Sequence, residues 1–148
     1  MNKQYACYCG LYCENCAIKQ RVHPAAKHLY EEMKRTDFEG VVNSIPGGDV
    51  FWSFLKDIAE NWVCASCREG SGNPGCEVRL CAQEKGVEIC AFCAEYPCAR
   101  IDSFDAGYPV LKQDNALLRD KGWEAWGKLQ DERRARGFTY SHDKDEAE

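Results

Sequence analysis

What the chain lacks narrows its role first. Its 148 residues contain no apolar run of the length, about 18 residues, that a membrane-spanning helix needs. The opening MNKQYACYCGLYC carries one lysine and no apolar h-region, so it does not read as a secretory signal, and a cytoplasmic protein is expected. There is no Gly-rich phosphate loop, no G-x-S-x-G and no H-E-x-x-H. Carboxylates such as Glu14, Glu69, Asp102 and Asp105 are scattered, as surface charge is. No catalytic residue is assigned, and an enzyme is not expected.

Positive charge is also scarce. The net charge is −5, whereas a duplex-binding protein shows a basic face. The one basic cluster is RRAR, with Arg133, Arg134 and Arg136. It falls where a helix would end, a place the helix dipole favours for cations. Nucleic acid and membrane are set aside as partners, which leaves a protein or a small molecule. The acidic end HDKDEAE reads as a tail, placed at residues 139–148. The three histidines, His23, His28 and His142, lack the paired spacing of metal ligands and are expected to be solvated.

Strand signals are few. GVEIC at 86–90 is the best candidate for a small hairpin, so the class is mainly α, with a small α+β arrangement as its variant. Helical signals are plentiful. Pro24 can open a helix with Ala25, Leu29 and Met33 spaced by four. Asp49 can cap a helix whose apolar face holds Val50, Phe51, Phe54, Leu55, Ile58 and Trp62. Residues 77–85 can form a short helix closed by Gly86, and Pro97 can occupy the first position of another. Residues 114–136 carry Leu117, Leu118, Trp126 and Leu129, with Gly122 as a break and Gly137 as a close. Phe51, Phe54, Trp62, Trp123 and Trp126 read as core between helices, with Trp123 the one expected to be partly exposed.

What the chain has in excess is cysteine. Eleven occur, in blocks at 7–16 and 64–98. An odd number cannot close a disulfide framework, and in a reducing compartment such density points to metal. The C-x2-C unit appears three times, at Cys13/Cys16, Cys64/Cys67 and Cys90/Cys93. Two intervening residues curl the backbone until both sulfurs face one point, and two such curls supply the tetrahedral thiolates of Zn²⁺. The candidate ligands are Cys9, Cys13, Cys16, Cys64, Cys67, Cys76, Cys81, Cys90, Cys93 and Cys98. Cys7 is the weakest candidate and reads as a spare thiol.

Spacing leaves the pairing open. One partition joins Cys64/Cys67 to Cys90/Cys93 and gathers Cys9, Cys13, Cys16 and Cys98 in a second site. Another joins Cys76 and Cys81 to Cys90 and Cys93, and Cys64 and Cys67 to the N-terminal pair. Cys76 must precede the 77–85 helix if it shares an ion with Cys81, since helical positions five apart face differently. Cys98 near a helix start suits either a ligand or a reactive thiolate. Four thiolates also hold iron–sulfur clusters, although no C-x2-C-x2-C-x3-C-P run is present.

CGLYCENC, CASCREG, CEVRLCAQEKGVEICAFCAEYPCARI and the later GWEAW together resemble the cysteine-rich bacterial and archaeal family filed as domain of unknown function 3795. The resemblance spans about residues 5–130. It sets the ten candidate ligands on the family's cysteine positions, leaves Cys7 as an extra, and implies zinc binding without a known biochemical role. FEGVVNSIPGGDVFW departs from the pattern as an insertion-like loop and helix. The combined expectation is one helical domain over residues 1–138, stapled by cysteine-ligated zinc knuckles that hold two Zn²⁺ ions in structural four-cysteine sites. Such a domain would act as a binding module. An iron–sulfur protein and a thiol-based redox or metal-sensing protein are the alternatives.

Overall fold

Helical periods in the sequence close into six α-helices among the described residues, with no strand and one isolated antiparallel bridge, Ala6–Tyr12. The structure is a computed structural model that describes residues 2–105 and 107–140. The class is mainly α, as expected. Two compact units are present, one built from residues within 1–17 and 65–148, the other from residues 18–64. Among the described residues no helix is long and apolar enough to cross a membrane.

The 18–64 unit contains α1 (His23–Arg35), α2 (Phe38–Val42) and α3 (Gly48–Asn61). Pro24 occupies the first turn of α1, where its missing N–H costs nothing. The buried face is not the expected one. Tyr30 and Met33 face inward while Leu29 is 45% exposed. A similar rotation affects α3, where Trp52, Leu55 and Ala59 are buried, and Val50, Phe51, Phe54 and Trp62 are exposed. Its N-cap is Gly47 in the left-handed region (φ 80), and Asp49 lies inside the first turn. The reason is steric. A Cβ on Gly48 would sit 1.8 Å from the Val42 carbonyl oxygen, so two glycines let the helix begin tight against α2. Tyr30 and Trp52 then meet with ring centroids 5.1 Å apart. His23 Nε2 lies 3.1 Å from the Ala59 carbonyl, so this histidine is a packing residue rather than a solvated one.

The other unit contains α4 (Glu77–Glu84), α5 (Ala99–Asp105) and α6 (Leu111–Ala135), with single 3-10 turns at Lys3–Tyr5, Cys13–Asn15 and Cys90–Phe92. α4 ends as expected at Gly86. α6 bends at Gly122 (φ 75, ψ −175) and closes at Gly137, with Phe138 N–H donating to Arg133 O at 3.0 Å and Gly137 N–H to Arg134 O at 2.9 Å. Two expectations fail here. Residues 86–90 form no hairpin, because Cys90 N–H donates to Tyr8 O at 2.7 Å, and no second strand lies beside them. Pro97 does not open α5, which starts at Ala99, after Cys98.

A buried polar chain fastens the termini of this unit to α6. Asp114 and Arg133 pair at 2.6 Å, with side-chain exposures of 0% and 10%. Gln130 Nε2 donates to the same Asp114 oxygen at 2.8 Å, while Gln130 Oε1 accepts from Asn15 Nδ2 at 2.9 Å and from Tyr140 OH at 3.1 Å. Tyr140 OH in turn accepts from Tyr12 N–H at 2.8 Å. Burial pushes the Asp114 carboxyl above its usual range, and Arg133 draws it part of the way back. Thr139 and Tyr140 are buried, and Tyr140 joins this chain, so these two residues belong to the core rather than to the expected tail. The rest of the expected tail and His142 lie outside the described residues. Around the polar chain pack Trp126, Leu118, Tyr12, Ile89 and Ala91, with Tyr12 edge-on to Trp126. Trp123 is half-buried, while Phe51, Phe54 and Trp62 are the more exposed aromatics, so the core reading fails for those three.

Arg133→Met should strip Asp114 of its buried cation and lower unfolding free energy by about 3–5 kcal/mol in urea titration. Arg134→Ala, at a half-exposed pair with Glu14, should cost no more than about 1 kcal/mol.

Candidate metal centre

All eleven cysteines are free thiols; Cys9 is buried and the others are half-buried. The structure sorts most of them into two groups within the unit built on α4–α6.

The first group forms around the N-terminal turn. The Ala6–Tyr12 bridge and the Cys7 N–H bond to Leu11 O at 2.8 Å fold residues 6–12 back on themselves. Gly10 makes the corner at φ +107, and a Cβ there would lie 1.8 Å from Asn115 Oδ1. Asn115 uses that proximity, donating from Nδ2 to Cys9 O at 2.8 Å. Arg68 secures the other side, donating to Ala6 O and Glu88 O, both at 2.7 Å. Arg79, 6% exposed, donates to Ser71 O at 2.9 Å and Asn73 O at 2.8 Å, which shapes the loop after Cys67. The result places Cys7 Sγ 3.2 Å from Cys13 Sγ and within hydrogen-bonding reach of Cys67 and Cys9. Hydrogen bonding with these sulfurs, Cys13 foremost, followed by burial, raises the Cys7 thiol well above its ordinary value. Cys67 is the converse case. The Cys7 hydrogen bond, the Tyr8 N–H and the nearby Arg79 and Arg68 cations lower it to about 6 against the opposing pull of burial. Cys16 and Cys76 stand close enough, with Cys9 and Cys7, to raise the Tyr108 hydroxyl, whose shift comes first from burial.

The second group surrounds a cavity of about 20 Å³ lined by Cys81, Cys90, Cys93 and Cys98, with apolar walls from Ala82, Val87 and Ile101. Cys81 projects from α4. Cys90 and Cys93 lie on one 3-10 turn, with Cys93 N–H donating to Cys90 O at 2.9 Å. Cys98 precedes α5, and its carbonyl accepts from Asp102 N–H at 2.9 Å. Lys85 pairs with Glu95 at the rim, and Arg100 Nη1 lies 3.8 Å from Cys81 Sγ. Burial, followed by the neighbouring Cys9, Cys98, Cys93 and Cys81 sulfurs, pushes the Cys90 thiol up to about 12.

Neither partition drawn from spacing matches this layout. Cys76 does precede α4, as its N-cap, yet it does not line the cavity that Cys81 lines, so the two separate. Cys98 joins Cys81, Cys90 and Cys93 rather than the N-terminal cysteines. Cys64 ends the 18–64 unit, is half-buried and has an interaction of its own. Cys7, which spacing marked as spare, lies at the centre of the first group. The signal for it was present in Cys7-x-Cys9-Gly10, a corner that turns two sulfurs toward one side, but the glycine's role depends on Asn115 far along the chain.

Among the described residues no three His, Cys, Asp or Glu side chains stand as a group that could hold a metal ion as placed. Fit is therefore judged on donor chemistry. Cys81, Cys90, Cys93 and Cys98 are four soft donors on one small cavity, and the carboxylate at its rim, Glu95, is paired to Lys85. That donor set fits a thiophilic cation.

Gly10→Ala should destabilise the fold by at least about 1–2 kcal/mol, from backbone strain plus the Asn115 overlap. Asn115→Ala removes the overlapping atoms, so the double variant should cost less than the sum of the two single ones in denaturant titrations.

A model of the family described as protein of unknown function (DUF3795) matches residues 5–103, well over half of the chain. The chain belongs to that family. No curated protein and no solved structure matches it.

Proposed function

We propose that this DUF3795 member is a structural zinc protein and that its activity is binding rather than catalysis. The observation that carries this reading is the convergence of four thiols on one cavity of about 20 Å³ from three separate stretches: α4, the Cys90–Phe92 turn and the residue before α5. A space of that size is about one water-sized sphere, which suits a single ion better than a multi-atom iron–sulfur core. Cys81, Cys90, Cys93 and Cys98 would hold one Zn²⁺. Cys7, Cys9, Cys13 and Cys67 would hold a second, with Cys16 and Cys76 beside them. Cys64 enters as a candidate on its C-x2-C spacing to Cys67.

A bound Zn²⁺ supplies charge neutralisation and cross-linking for these thiolates, and a closed four-sulfur sphere leaves no position for a reactive water. The chain's own residues do the rest. Arg68 and Arg79 place positive charge near Cys67, and Asn115 fixes the backbone that carries Cys7 and Cys9. A reducing, cytoplasmic setting suits a chain whose many cysteines serve as metal ligands rather than as disulfide partners. The partner would be a protein or a small molecule bound at an exposed face.

Elemental analysis and an absorption spectrum of freshly purified protein test this directly. About two zinc ions per chain and no visible band are expected, and Cys93→Ser should lose about one of them. Stripping the metal with a strong chelator should abolish much of the helical circular dichroism. Iron with a broad visible absorption would replace this reading with an iron–sulfur protein. A folded protein with no metal and eleven titratable thiols would end it.

A further inference from the structure

We propose that Cys7 and Cys13 form an oxidisable pair, closed to a disulfide by a hydroperoxide such as hydrogen peroxide and reopened by thiols. The geometry favours this pair, since Cys13 is the strongest of the sulfur partners of Cys7. Their sulfurs are 3.2 Å apart. Two thiolates bound to one tetrahedral Zn²⁺ at about 2.3 Å stand about 3.8 Å apart. Bonded disulfide sulfurs stand about 2.0 Å apart. The pair thus lies between its ligand and disulfide distances, and either state needs only a small side-chain movement. The backbone is already folded for it, because the Ala6–Tyr12 bridge sets Cys7 and Cys13 diagonally across a closed turn. Closing so short a loop costs little further entropy. Both residues are half-buried, although the Cys7 sulfur is packed among other thiols, so oxidation calls for a reagent as small as hydrogen peroxide.

One sulfur of the pair, as thiolate, attacks a peroxide oxygen and breaks the O–O bond, giving a sulfenic acid and hydroxide. The second thiol's sulfur displaces the hydroxyl group from the first, forming the S–S bond. The protons lost by the two thiols convert the two displaced hydroxides to water. Two thiols and one hydrogen peroxide become one disulfide and two waters, with two electrons passing from sulfur to oxygen. Where a metal is held by the first group, the step removes two of its thiolates and should release that ion while the Cys81/Cys90/Cys93/Cys98 site keeps its own. This metal arm rests on the zinc reading; the disulfide arm does not.

The test uses the full chain as purified. After treatment with hydrogen peroxide, free thiols are alkylated and the protein is cut with chymotrypsin, whose sites after Tyr8 and Tyr12 put Cys7 and Cys13 on different peptides. A Cys7–Cys13 cross-link is expected. Titration in denaturant should show two of the eleven thiols lost, and a dithiol should restore both. A chromogenic chelator in the same reaction should report about one zinc released per chain. Cross-linking of Cys7 to Cys67 or Cys9, its other sulfur neighbours, would overturn the proposal, as would full alkylation of both Cys7 and Cys13 after peroxide. A Cys7–Cys13 cross-link in protein that never held metal would uphold the pair and defeat the zinc reading. Bound zinc with no such cross-link would do the reverse. Cys13→Ser provides a second check, since Cys7 should then stay alkylatable, with circular dichroism confirming that the variant is folded.

Discussion

The bond chain from Asp114 through Gln130 to Asn15 and Tyr140 is the constraint on which the cysteine arrangement depends. It fixes the end of the N-terminal segment, Asn15, and the last described residue, Tyr140, to a single helix, α6. Its central ion pair is fully desolvated at Asp114, and such pairs add little net stability compared with apolar packing. What they add here is position. Asp114, Gln130 and Arg133 can satisfy one another only when both arms of α6 on either side of the Gly122 bend are correctly placed. Asn115, the next residue along, then reaches Cys9 O and sets the turn that carries the first sulfurs.

The two sulfur groups differ in surroundings and so in chemistry. Cys67 has two arginines and a backbone N–H in its field, and its thiolate is favoured. Cys90 is packed among other sulfurs and apolar walls, and its thiolate is disfavoured until something positive shares the site. Positive neighbours favour charge on the one sulfur, and burial among apolar walls and other sulfurs disfavours it on the other. The backbone bond from Cys90 to Tyr8 joins the two groups into one framework, so a change in the N-terminal turn reaches the base of the four-cysteine cavity. Family membership adds no substrate to this picture.

The amino-acid sequence by itself determined the elements. Helix positions followed from apolar spacing and from glycine and proline, and α4 and α6 ended at Gly86 and Gly137 because backbone conformation is a local property. The density and odd number of cysteines argue for metal over a closed disulfide framework. Tertiary structure decided which face of each helix was buried. Trp52 displaced Phe51 and Phe54 from the interior of the 18–64 unit because a close approach at Gly48 set the rotation of α3. It decided which sulfurs meet as well. Cys76 and Cys81 share a short stretch of sequence yet part company at the start of a helix, while Cys7 gains its neighbours from a glycine corner held by Asn115, over one hundred residues away. Spacing records how far apart two thiols are along the chain, and only packing fixes the direction in which each one points.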